Sequence, residues 1–100
     1  MTEITSRTER IAHSLFSRAQ ANELCEILRS RCSGKDVHSA HFSAEEMERI
    51  HLSVLKLVGE NAMDVESAIR LAQTDWRDLL MTADFGEIEA HDRWAREHVS

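Results

Sequence analysis

The sequence predicts an all-α fold, a compact bundle of five or six short helices forming one domain over residues 1–100, and three observations carry that expectation. The chain has no Pro and three Gly in 100 residues, against ordinary usage of about 5% and 7%. Multi-turn β-sandwiches, glycine-rich phosphate loops and proline-rich linkers need those residues. Apolar side chains recur at three- and four-residue spacings along most of the chain, the period of a helix with one buried face. Finally, five acid-before-base pairs stand four residues apart: Glu3/Arg7, Glu45/Arg49, Glu66/Arg70, Glu89/Arg93 and Asp92/Arg96. That order supports a helix by a few tenths of a kcal/mol per pair, and its ordinary meaning is solvated helix surface.

The first helix is expected between Glu3 and Ala19. Stepping about 100° per residue gathers Ile11, Leu15, Ala19, Ala12 and Phe16 on one arc and sets Arg7, Arg10, Ser14 and Ser17 opposite. Continuing the same wheel, Leu24, Leu28, Ala21, Cys25 and Cys32 fall on nearly the other side. A jump of phase around Arg18 to Asn22 is read as a break with Asn22 as N-cap; the other reading is one long helix that buries two faces against different partners. Cys25 and Cys32 are seven residues apart, about 10 Å along a helix and beyond the reach of a disulfide. They are expected as reduced, small buried hydrophobes, and their spacing matches neither a zinc knuckle nor a redox pair.

Ser33 to Phe42 lacks helical periodicity and contains Gly34, so it is read as the longest loop, with Gly34 near a helix C-cap. Ser43-Ala44-Glu45-Glu46 then matches a capping box, in which Ser43 and Glu46 each satisfy the other's backbone N–H. Met47, Ile50, Val54, Leu57 and Val58 make the apolar stripe of the central helix, which ends at Gly59. Three shorter helices follow. One starts at Asn61 or Asp64, ends at Gln73 and buries Val65, Ala68, Ile69 and Ala72. The next runs from Thr74 or Asp75 to about Asp84 over Trp76, Leu79, Leu80 and Ala83, and the last from about Glu87 to His98.

Charge restricts the partners. Twelve basic and 18 acidic residues leave a net charge of −6, and residues 51–100 hold 5 basic against 10 acidic groups. Duplex DNA and anionic membranes are bound through Lys/Arg patches that release counterions, so neither nucleic acid nor a membrane is expected as partner. No run approaches a membrane span and the first ten residues are too polar for a signal peptide, which makes the cytoplasm the expected location. No P-loop, dinucleotide fingerprint or nucleophile elbow is present, so no catalytic residue or cofactor is assigned.

Six histidines are the feature that most invites explanation, because imidazole is both a common metal ligand and the group that titrates nearest neutrality. His13 falls on a polar face. His51 lies inside the apolar arc of the central helix, and Glu87, His91 and His98 lie within the apolar arc of the last, which also takes Ile88, Ala90, Trp94, Ala95 and Val99. A buried polar group without a partner costs on the order of 1–3 kcal/mol. Ordinary partners would suffice: Glu87 with His91 along the helix, a backbone carbonyl for His51 and solvent for His98. Alternatively His51, Glu87, His91 and His98 converge on an inter-helix pocket for a small ligand or metal, the place where bundles build such sites. Glu48 and His51 have the E-x-x-H spacing of di-metal bundles, but the second motif is missing and Glu48 sits at the edge of its arc. His38 and His41 are a weak second metal candidate.

A contact surface is the other candidate. Trp76, Met81, Phe85 and Trp94 fall within 19 residues, and Trp and Met are enriched at interface cores. Met81 and Phe85 point away from Leu79 and Leu80 on the wheel, giving that short helix two apolar sides. Two expectations follow: a protein-interaction module, with a protein partner or self-association as a homodimer through those four residues, or a small-ligand or metal-binding helical protein, an enzyme included, with the histidine and glutamate pocket.

Overall fold

The computed structural model describes residues 4–32, 43–87 and 89–98. Glu3, the Ser33 to Phe42 loop with Gly34, His38 and His41, and also Ile88 and Val99, lie outside the described residues. Six helices are present among the described residues: α1 (Ser6–Leu15), α2 (Arg18–Arg31), α3 (Ala44–Gly59), α4 (Val65–Thr74), α5 (Trp76–Thr82) and α6 (Ala90–His98). No strand occurs among them, as the composition predicts.

The break between the first two helices is real but sits earlier than the wheel places it. Phe16 and Ser17 adopt extended backbone, and the Ser17 side chain caps α2 by accepting from the Gln20 N–H. Asn22, the expected cap, is an exposed residue inside α2, and Ala19 is exposed in its first turn. A two-residue break suffices because it re-phases the apolar face: α1 buries Thr8, Ile11 and Ala12, and α2 buries Ala21, Leu24, Cys25 and Leu28. Cys25 and Cys32 are buried and unbridged, and burial pushes the Cys25 thiol up from its ordinary value.

Helix α3 forms the centre. Both halves of its capping box are made, Ser43 Oγ accepting from the Glu46 N–H at 3.1 Å and Glu46 Oε1 accepting from the Ser43 N–H at 3.0 Å. It buries residues on almost every side, from Met47, Ile50 and Leu52 to Val54, Leu55 and Leu57, because α1, α4, α5 and α6 all pack against it. A helix apolar nearly all round belongs inside, and each fully buried Leu or Ile contributes roughly 1.5–3 kcal/mol.

Helices α3 and α5 end alike. Asn61 (φ 57°) and Asp84 (φ 66°) take the left-handed conformation. The next residue in each case returns its N–H five residues back, Ala62 to Leu57 and Phe85 to Leu80, the Schellman arrangement. Asn and Asp are the non-glycine residues that tolerate this turn best. The second of these turns overturns one expectation: Phe85 does not extend a second apolar side of α5, because the chain reverses at Asp84 and returns its ring to the core, 2% exposed. Asp64 and Asp75 cap α4 and α5, whereas α6 starts at Ala90, three residues later than expected, and leaves Glu87 on the connection before it.

Candidate functional site

The ends of α1, α3 and α6 meet around one cation. Arg7, placed by the wheel on the polar face of its helix, instead reaches across to Glu48 of α3 through Nη2 (2.5 Å) and Nε (3.3 Å), and to Asp92 of α6 through Nη1 (2.6 Å). Thr5, the N-cap of α1, donates its hydroxyl proton to Glu48 Oε2 at 2.6 Å. That proton being spent, the 2.8 Å contact between the Thr5 and Thr8 hydroxyls has Thr8 as donor. Burial raises the Glu48 carboxyl, but the bonds from Arg7 and Thr5 outweigh it and hold the group below its ordinary value. The Arg7 bond likewise lowers Asp92. A Glu on the edge of an apolar arc was the sequence signal for this cluster, since such a carboxylate needs a cation; nothing in the spacing showed that the cation comes from α1.

Tertiary partners capture the charges of the other expected pairs too. Arg96 pairs with Asp92 as expected, but Glu66 binds Arg31 of α2, Arg93 binds Glu87, and Arg49 donates to the carbonyls of Phe85 (2.9 and 2.5 Å) and Gly86 (2.8 Å). An exposed pair within a helix is worth only a few tenths of a kcal/mol, so a partner offered by another element displaces it.

The candidate pocket residues go to different places. His51 is 1% exposed and its Nε2 donates to the carbonyl of Cys32, the C-cap of α2, at 2.8 Å. Burial lowers its affinity for a proton and that bond partly restores it. Glu87 is exposed and accepts from Arg93 at 3.1 Å, not from His91. His98 donates Nδ1 to the Trp94 carbonyl at 2.8 Å and lies over the Trp94 ring, 4.4 Å between centroids. The four do not converge, and no group of three His, Cys, Asp or Glu arranged to hold a metal occurs among the described residues.

His91 is the exception. It is 2% exposed, and neither ring nitrogen has a hydrogen-bond partner. Its ring stands edge-on to Phe85, 6.4 Å between centroids. Burial drives it toward the neutral form, Glu48 opposes, and Arg49 and Arg7 add to the burial effect. The ring lines a cleft of about 320 Å³ whose other walls are Ser43, Glu45, Glu46 and Arg49, where the start of α3 faces α6. Ser43, Glu45 and Glu46 are exposed at its rim and His91 is its buried end. Those rim residues were read from the sequence only as a cap and a solvated turn, because their meeting with α6 is a tertiary event.

Of the expected contact surface, Met81 is 69% exposed and Phe85 is buried. Trp76 is half-buried with the Arg77 guanidinium over its ring, and Trp94 is half-buried between Phe85 and His98. No helix among the described residues is long and apolar enough to cross a membrane. No protein-family model, characterised protein or solved structure matches the chain.

Proposed function

We propose that this chain is a binding protein for a small polar molecule, held in the cleft between the start of α3 and α6. One observation carries the reading: a buried imidazole with two unpartnered nitrogens at the inner end of an open cleft. Buried polar groups are almost always hydrogen-bonded, and the exceptions mark places where something else supplies the bond. The cleft is at the lower end of ligand-pocket sizes, roughly 300–1,000 Å³. Within it the Ser43 hydroxyl oxygen and one Glu46 oxygen are engaged in the capping box of α3, and the reading offered is binding.

The test is native mass spectrometry together with thermal unfolding in a metabolite extract. Wild type is expected to retain or gain a small molecule and to unfold at a higher temperature, with His91→Leu losing both effects. If extract leaves wild type and His91→Leu indistinguishable, the proposal is wrong.

A second reading, association through the corner between α5 and α6, is favoured by the exposure of Met81. Trp76 and Trp94 are half-buried nearby in sequence. It requires wild type to form an assembly that Met81→Glu dissociates in sedimentation; a monomeric wild type removes it.

A further inference from the structure

The donors and acceptors around the cleft are unequal, and the imbalance points to a ligand class. Resting on the binding role proposed above, we infer that the cleft over His91 takes a small aliphatic ammonium.

Glu45 and Glu46 bring two carboxylates, which only accept hydrogen bonds when ionised. The Arg49 guanidinium, the one cation among the described lining residues, directs Nε and Nη2 to the carbonyls of Phe85 and Gly86. The described lining residues therefore bring two carboxylates against one guanidinium. At the buried end, a neutral imidazole presents one nitrogen lone pair, and this ring is without a partner at either nitrogen. An ammonium has three N–H donors and no acceptor, which suits a lone pair at the inner end and carboxylates at the rim.

The alternatives fit less well. An anion could use the positive end of α3, but the capping box already occupies the Ser43 and Glu46 amides, and both carboxylates would repel it. A metal ion needs several ligands within one coordination sphere, and no such group of three exists among the described residues. An aliphatic diammonium meets acceptors spread along a cleft, because it carries a donor head at each end and its stem fills the space between them.

The experiment follows the His91 ring by ¹H–¹³C spectra at neutral pH, assigned with His91→Leu, with the His51 ring as an internal control. The probes are 1,3-diaminopropane, 1,3-propanediol as its uncharged analogue, and inorganic phosphate. The diamine is expected to shift the His91 signals saturably while the diol and phosphate do not. The double variant Glu45→Gln/Glu46→Gln should bind the diamine about fivefold more weakly, the scale of exposed ion pairs. Gln at the third helical position preserves a capping box, so this variant keeps the start of α3. Should its unfolding temperature nevertheless fall, Glu45→Gln alone, outside the cap, gives the same test with a smaller weakening.

A shift caused by phosphate, or by diol as strongly as diamine, overturns the ammonium assignment and leaves the binding role standing. Diamine affinity unchanged in the double variant also overturns it. No response to any probe overturns it as well, and the extract experiment then decides the binding role separately.

Discussion

Two histidines are buried to the same degree on opposite sides of one story. His51, within α3, meets the end of α2, and its ring donates to the Cys32 carbonyl. His91, on α6, meets the start of α3 with no partner at either nitrogen. Burial lowers the proton affinity of both rings, so the two share the expense of desolvation. Only one recovers it inside the chain. A helix C-terminus offers unpaired carbonyls by construction, so the α2 end is a ready acceptor for a histidine packed beside it. The anions whose charge acts on His91, Glu48 and Asp92, are already engaged by Arg7. An imidazole that meets a backbone acceptor becomes structure; one beside occupied carboxylates is left for something from outside.

The largest effect that tests this contrast comes from freeing those carboxylates' partner. Glu48→Gln leaves Arg7 without its better-buried anion, and is expected to lower unfolding free energy by roughly 2–3 kcal/mol in urea titration, below the range for a fully buried pair because Arg7 is partly exposed. Next come the histidines themselves. His51→Leu removes the bond that the ring donates to the Cys32 carbonyl and should lose about 1 kcal/mol, whereas His91→Leu removes an unpaired polar group and should be neutral or gain about 1 kcal/mol without ligand. Equal losses for the two variants would end the contrast.

A change of pH probes the same difference more gently. Both rings have folded-state values below the ordinary 6.5. Above that value each ring is neutral whether folded or unfolded, and stability is insensitive to them. Below it the unfolded chain takes up protons that the folded rings refuse, so stability falls as pH drops from 6.5 toward the folded values. Urea midpoints measured from about pH 7.5 to 5.5 should decline, and each Leu variant should flatten part of the decline. The smallest effect is expected at the surface: Met81→Glu should change stability by less than about 0.5 kcal/mol, measured by the same titration.

How far the sequence reached depended on distance along the chain. The capping box at Ser43 and the stripe from Met47 to Val58 are set by neighbours within four residues, and they were legible; for α4 and α5 the aspartate stood as one of two possible starts. So was the demand of His51 and His91 for partners, since both fall in apolar arcs. Who answers that demand was not legible. Cys32 is 19 residues from His51, and Arg7 is 41 from Glu48, separations at which periodicity carries no information. Phe85 was misplaced for a local reason: the reversal at Asp84 uses a residue other than Gly, and a wheel carried through that turn assigns the ring to the wrong side.

The Arg7 clamp also joins distant parts of the chain. Its partners lie 41 and 85 residues away in sequence, while α3, α4 and α5 follow one another closely and pack together. Loop-closure entropy grows with the length enclosed, so the clamp is closed at a larger entropic expense than the packing of the central three helices. Its return is to tie the beginning of the described chain to its end through a single side chain.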